Sequence, residues 1–577
     1  MKNKSFSAKL KELLVGKQPL PKRIPTALFP ALALSFTLFL FGPLDLTRIA
    51  ESYVDYTVPE ILPFCLKFWG IVFAAMFLPA WFLGGKMHAW LCSLYAGLAA
   101  AFYIQGNWLN IDLGTLNGEA VNWESYGDNA LVNLAVFMAV LLVPFLVHFF
   151  SRRIWKGYII FTSFLIFIMQ IVPMGIMITE EYRARPDNSI RYIVSKDREY
   201  VLGQENIVVF ILDYTSPSEM SKMLAKYPDA LAPFNDFLCF DNYNTEYVGT
   251  FPSAAYLFTH QPYERDIPYS EWFNKVWHSE EAESFYSQMK EAGWTTRAFH
   301  NLRMVAGNAE NEFGKMDNII RVEGAPEYTI DRSVFRKLIK LSFYRYFPLI
   351  MKAPFWLYTD DINGMKILSE NERSWNKYDS IQKYLDRRLS VGDEEKVYVT
   401  YHYAGAHAPY ELNETGRYAK NAVHVEDQLA GHFYVISEYI QQMKDYHIYD
   451  SSTVIITTDH GNFVYPHSIL FIKPAGQRQG EMTYSHAPVS QSEFMETISE
   501  LAGLEKGQFG RSVYDIPEDE ERERCTALYW KDPEIPEKTG KASNAMKDLC
   551  YIGDSETVHQ MLTDGEFIST PLKYPFY

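Results

Sequence analysis

The sequence predicts an α/β protein in two parts, an N-terminal bundle of five transmembrane helices and then a mixed-sheet α/β domain. Three observations carry that expectation. Five apolar stretches long enough to span a bilayer crowd into the first third of the 577-residue chain. Beyond them, β-branched runs such as Ile207 to Leu212 and Thr453 to Thr458 read as buried strands, and each is followed by an aspartate. Helical patterns intervene, most clearly Val425 to Tyr446, as a sheet layered with helices requires.

The spans run Ile24 to Leu44, Ile61 to Leu83, Ala89 to Leu109, Ala130 to Phe150 and Gly157 to Ile178, and a mean hydropathy of −0.16 over the whole chain hides them. The first is followed by four more and lacks a small-residue cleavage site, so it does not read as a cleaved signal peptide. Lys67 lies near the outer end of the second span, where its ammonium can snorkel. Loop charges set the orientation. Residues 1–23 carry seven Lys or Arg against one acid, the loop at Lys86 is basic, and Ser151 to Lys156 adds three positive charges. The alternating loops, Thr47 to Glu60 and Asn110 to Asn129, carry one Arg against seven Asp or Glu. The positive-inside rule therefore keeps the basic segments in the cytoplasm, and an odd number of spans sends everything after Ile178 to the outer side of a cell (inner or cytoplasmic) membrane. Trp108 and Trp155 stand at the expected interfaces.

The two parts differ in charge. Residues 1–178 hold 13 Lys or Arg and 9 Asp or Glu, whereas the rest holds 41 and 61. An exterior this acidic excludes a nucleic-acid partner, and anionic substrates must then be held by local groups and metal rather than by long-range attraction. The expected organisation is a cytoplasmic tail over 1–23, the membrane bundle over 24–178, a partly basic linker over 179–205, a catalytic domain over 206–510 and a small layer over 511–577 appended to the main sheet.

Chemistry concentrates at four places. Asp459-His460-Gly461 ends the run Thr453 to Thr458, and ligands collect beyond the carboxyl ends of strands in open α/β sheets; the tripeptide taken alone also suits an ordinary turn. Asp213 closes a second strand. Thr250, before Pro252, stands at a helix start, where its hydroxyl is either a cap or, beside a bound cation, a nucleophile. Tyr401-His-Tyr-Ala-Gly-Ala-His-Ala-Pro-Tyr410 follows the strand Lys396 to Thr400 with two histidines flanking a glycine, a pattern suited to holding an anionic group or moving a proton. Of the two, His402 also suits packing, and His407 beside Pro409 is the better candidate.

These four pieces, in this order, resemble the sulfatase-like branch of the alkaline phosphatase superfamily, above all the membrane-bound lipoteichoic acid synthases, which are phosphoglycerol transferases, and the phosphoethanolamine transferases. The resemblance covers Asn206 to Leu501, and Thr250-Phe-Pro-Ser-Ala254 is similar to the sulfatase signature Cys-x-Pro-Ser-Arg. Two departures point from sulfatases toward transferases: threonine cannot yield formylglycine, and Ala254 stands where the signature has arginine. The resemblance implies an alkaline phosphatase/sulfatase-like mixed-sheet domain with one divalent metal ion on Asp213, Thr250, Asp459 and His460. It makes Thr250 the catalytic nucleophile and gives His407, with His402 and His467, to the substrate. His467 has a second reading as a loop residue before the strand Ser468 to Lys473, because its spacing from Asp-His-Gly is shorter than in the transferases. Oxygen-rich ligation with one imidazole suits manganese slightly ahead of zinc or magnesium.

The implied partners are a membrane phospholipid donor and a surface glycan or glycolipid acceptor. Two other functions stay open: a sulfate or phosphate ester hydrolase with water as acceptor, and a non-catalytic membrane scaffold. Of five cysteines, Cys525 and Cys550 share the exterior tail and are the pair available for a disulfide.

Overall fold

The computed structural model describes residues 18–49, 58–111, 121–183, 191–264, 269–301, 316–322, 332–358, 377–421, 423–461, 467–529, 546–553, 557–562 and 567–571. The chain divides into two compact units: residues 1–187 with 327–370, and residues 188–326 with 371–577.

The first unit contains five helices long and apolar enough to cross a membrane, Leu20–Leu46, Ile61–Phe82, Gly85–Leu109, Trp123–Phe150 and Arg152–Glu180. Four begin before the apolar stretches that mark them, because the backbone hydrogen-bond ladder continues through polar residues at the interface. Two change pitch near one end: Thr37–Phe41 and Gln105–Leu109 are π-helical. Against those segments packs a helix the sequence reading did not assign to this unit, Arg332–Tyr346. Its Ser342 hydroxyl donates to Leu38 O at 2.8 Å, and its Arg345 pairs with Asp45. Asn110 donates to Arg345 O at 3.1 Å, and the backbone N–H of Leu349, just beyond the helix, donates to Asn133 Oδ1 at 2.8 Å. Gly106 makes room for it: a Cβ there would stand 2.4 Å from the Tyr346 ring. Leu38, Asp45, Gly106, Asn110 and Asn133 all lie at the span ends that the loop charges assign to the outside.

The second unit is built on a seven-stranded mixed sheet. Its strands are β1 (Glu205–Leu212), β2 (Leu238–Phe240), β3 (Trp294–Phe299), β4 (Lys396–Tyr403), β5 (Thr453–Thr457), β6 (Leu470–Lys473) and β7 (Thr483–Ser485). Their spatial order is β7-β2-β6-β5-β1-β4-β3. β3, β4, β1 and β5 run parallel, and β6 runs antiparallel to β5. Seven of the eight β1 residues are buried, as the continuous apolar run requires of a central parallel strand. Thr250–Thr259 (α1) and Val425–Asp445 (α2) are helices, the latter within one residue of its expected end.

Two boundaries differ from expectation. The stretch read as a linker contributes strand Arg191–Val194, paired antiparallel with Ile319–Val322, and strand Val201–Leu202. The tail, expected as a small layer appended to the main sheet, forms a four-stranded antiparallel sheet of its own, made of Arg522–Tyr529, Met546–Gly553, Thr557–Leu562 and Phe567–Pro571. Turn-rich spacing announces strands but not which sheet they join, and here Arg524 fastens the tail by donating to Asn242 O at 2.6 Å and Val489 O at 3.0 Å. Cys525 is disulfide-bonded and stands opposite Cys550 in the strand register.

Candidate metal and nucleophile site

The parallel strands end at one edge of the sheet. Asp213 follows β1, His300 follows β3, His402 and His407 come at and after the end of β4, and Asp459-His460 follows β5. The β1–β4 register aligns Ile211 with His402 and Leu212 with Tyr403, so the acid of one strand and the imidazole of its neighbour arrive together. Gly405 permits the next loop to close in. Its φ is +52°, and a Cβ would stand 2.4 Å from Asp213 O, so only glycine fits this approach. The Ala406 N–H then donates to Asp213 O at 2.9 Å.

Ligand atoms of Asp213, Asp459 and His460 all lie within 4.8 Å of one another, and all three residues are buried. His460 Nδ1 is 2.7 Å from Gly461 O, and since a carbonyl only accepts, Nδ1 carries the proton. The Nε2 lone pair therefore faces Asp213 Oδ1 at 3.6 Å, Asp459 Oδ2 at 3.8 Å and the Thr250 hydroxyl at 3.3 Å. A lone pair aimed between two carboxylates is unfavourable unless a cation sits among them. Among the described residues, Asp213 Oδ1, Asp459 Oδ2 and His402 Nε2 are buried without a hydrogen-bond partner, the orphan set a metal would satisfy. The donors fit one hard divalent ion, and Thr250 at the first turn of α1 completes them with a hydroxyl.

His402 is 2 % exposed, with Nε2 3.5 Å from Asp459 Oδ2 and 4.0 Å from Asp213 Oδ2, and its ring stacks on that of His300 with centroids 5.3 Å apart. It thus approaches the carboxylates from within the sheet. His407 is partly exposed, with Nδ1 bonded to Ala408 O. The Asp213 charge pulls its pKa up, but burial and the Lys377 ammonium together outweigh that and hold it below the ordinary histidine value. His467 is placed on a different sheet, opposite Asn244 in the short strands Tyr243–Asn244, His467–Ser468 and Val489–Ser490. Burial there, with Arg524 adding to it, lowers its pKa to about 4.

Two groups at the site, Lys377 and Tyr214, escaped the sequence reading. Lys377 Nζ donates to Asp213 Oδ2 at 3.1 Å. Burial and Asp459 raise the Asp213 pKa, yet Lys377 with the two histidines prevails and holds the carboxyl below its usual range. Burial likewise opposes ionisation of Asp459, but His460 and His402 outweigh it and keep this carboxyl low. Tyr214 takes a left-handed backbone, φ 59°, with its N–H donating to Asp459 Oδ1 at 3.3 Å and its ring edge-on to both His407 and His460. Ser253, one turn after Thr250 and by sequence the competing hydroxyl, is fully buried and donates to Asp459 O, an arrangement that suits packing rather than attack. Lysine on an amphipathic helix reads as a solvated charge, so no sequence signal marks Lys377; for Tyr214 the signal that could have found it is its place directly after the strand-ending Asp213.

The fold and this site define a sulfatase-like enzyme in which Asp213, Asp459 and His460 could hold a metal ion. A model of the sulfatase family matches residues 206–504, and the chain belongs to that family. Similar solved structures include a phosphonate monoester hydrolase from Silicibacter pomeroyi, 15 % identical over 64 % of this chain and 88 % of that one, TM-score 0.37. Another is the lipoteichoic acid synthase LtaP from Listeria monocytogenes, 12 % identical over 66 % and 92 %, TM-score 0.34. A third is a glycosaminoglycan-metabolism protein from Bacteroides thetaiotaomicron, 13 % identical over 64 % and 89 %, TM-score 0.40. No curated protein sequence matches the chain.

Proposed function

We propose that this protein is a membrane phosphotransferase that moves a phospholipid-derived phosphoglycerol or phosphoethanolamine group, through a phosphothreonine intermediate, onto a hydroxyl of a cell-surface glycan or glycolipid. The observation that carries this reading is Thr250: a threonine hydroxyl at a helix start, 3.3 Å from His460 Nε2, at the position where a sulfatase needs a residue convertible to formylglycine. The five spans support a lipid donor, and the docking of Arg332–Tyr346 at the acidic-loop ends supports an extracytoplasmic catalytic part.

A divalent cation on Asp213, Asp459, His460 and Thr250, manganese by preference of the donor set, would lower the pKa of the threonine hydroxyl and neutralise phosphate charge. In the first half-reaction Thr250 Oγ1 bonds to phosphorus as the bond to the lipid alcohol breaks, and the threonine proton ends on that alcohol. In the second, the acceptor oxygen bonds to phosphorus and the phosphothreonine ester breaks. Because Nδ1 of His407 donates to Ala408 O, its Nε2 keeps a lone pair suited to take the acceptor's proton and return it to Thr250. Lys377, beside Asp213, supplies a fixed positive charge for the phosphate oxygens.

Incubating the purified protein with labelled phospholipids and examining the Thr250 peptide by mass spectrometry tests the reading. A phosphoglycerol or phosphoethanolamine ester on Thr250 is expected; turnover with no adduct on this peptide under any quench would sink it. Family membership favours one second reading, hydrolysis of a sulfate or phosphate ester, which predicts turnover of a soluble aryl ester without lipid.

A further inference from the structure

We infer that Gln491 is the positioning residue that sets the distance between the nucleophile helix and the metal-binding loop. The inference rests on the reading of Thr250 and Asp459 given above. Gln491 opens the 3₁₀ turn Gln491–Glu493, directly after the short strand Val489–Ser490, and is 1 % exposed. Its burial keeps it away from solvent. Its side-chain amide instead reaches the backbones of the segments that carry the site. Oε1 accepts from Glu246 N at 3.2 Å and lies 3.0 Å from the Ser253 hydroxyl, while Nε2 donates to Ser253 O and Asp459 O, each at 3.3 Å.

The amide orientation follows from chemistry. A backbone N–H can only donate, so the atom facing Glu246 N is oxygen, and the two carbonyls opposite then receive both N–H groups. Both ends of the amide are used. Ser253 lies in the first turn of α1, three residues after Thr250, and Asp459 is a proposed ligand. One planar group therefore holds the threonine-bearing turn against the loop of Asp459 and His460, with Ser253 closing the triangle by donating to Asp459 O. Gln491 is itself held. Ser490 pairs in register with Asn244, and Glu493 accepts from Ser490 N at 2.6 Å and forms an ion pair with Arg522 at 2.9 Å. Fixed support of this kind keeps reacting groups within the fraction of an ångström that catalysis needs.

The test uses the full-length protein in detergent, with manganese ion alone as the binding probe. Q491M fills the same space without hydrogen bonds. Its manganese Kd is expected to rise about tenfold or more and its kcat to fall about 10²-fold, while KM for phospholipid stays within about twofold and Tm within a few degrees. Q491E keeps the acceptor toward Glu246 but turns an oxygen toward two carbonyls, so its activity relative to wild type should recover as falling pH restores a proton there. Should Q491M fail to fold, Q491E carries the test through that pH-dependent ratio and its manganese Kd. Wild-type manganese affinity and kcat in folded Q491M, or a Q491E ratio flat with pH at unchanged affinity, would overturn the inference. A wild-type protein that binds no divalent ion would instead overturn the proposed function.

Discussion

Replacing Lys377 by methionine removes the ammonium 3.1 Å from Asp213 Oδ2 and separates two roles of one charge. In the absence of metal, Lys377 is the nearest counter-charge to a pair of buried carboxylates. At 3.1 Å the attraction amounts to about 1.3 kcal/mol in bulk water and about 5 kcal/mol at an effective dielectric of about 20. The lysine side chain is 20 % exposed and Asp213 only 1 %, which favours a value between these limits, about 2–3 kcal/mol. Metal-free Lys377→Met should lose about that much stability, and metal should restore most of it, since a cation then takes over the same carboxylate. The ammonium also competes with that cation. Relieving about 1–3 kcal/mol of competition predicts manganese binding tighter by about 5- to 150-fold. Turnover should fall nonetheless, because the phosphate oxygens lose a fixed positive charge. Calorimetric titration with manganese, alongside melting curves with and without metal, reads both effects. Weaker manganese binding by folded Lys377→Met would refute the reasoning.

Other outcomes follow from the same geometry. Thr250→Ala should lower turnover by at least about 10³-fold with the fold intact, Thr250→Ser should retain part of it, and Ser253→Ala should cost about 1 kcal/mol of stability with only mild loss of rate; initial rates and Tm decide. Tyr214→Gly relieves a left-handed backbone and should raise stability by about 1 kcal/mol while weakening substrate binding, so a lowered Tm with unchanged KM would count against it. His432 is fully buried, and its pKa falls from 6.5 to about 4 because burial disfavours the charged ring. The unfolded chain therefore binds a proton first on acidification: this contribution is whole above pH ~6.5 and is lost as pH falls toward ~4, about 3 kcal/mol in all. His432→Leu should flatten the acid limb of a Tm-versus-pH curve. Chelation should abolish turnover, with rescue by a divalent ion and not by sodium.

Much of the site was legible because its parts sit at strand ends. Asp213 and Asp459 were visible as the residues following two continuous apolar runs, and such runs mark central parallel strands whose carboxyl ends share an edge. Thr250 was visible through Pro252 and the glycine before it. What escaped depends on distant parts of the chain meeting. Lys377 reaches Asp213 across 164 residues, and Gln491 reaches Glu246 across 245, so neither spacing leaves a periodic trace. The helix Arg332–Tyr346 was missed for a related reason: its apolar face is too short to resemble a span, and only the π-helical turns and Gly106 reveal what it packs against. The tail's separate sheet was hidden because alternation specifies strands without naming their partners.

The placement of residues 327–370 with the membrane unit bears on shedding. A domain tethered by one stalk is released from a cell by one proteolytic cut. Here the polypeptide leaves the last span, builds part of the sheet, returns to the bundle with Arg332–Tyr346 clasped to Asp45 and Asn110, and departs again. Severing the stretch after Arg183 thus leaves the second unit joined to the first by two further passages of chain, and its release would require three cuts.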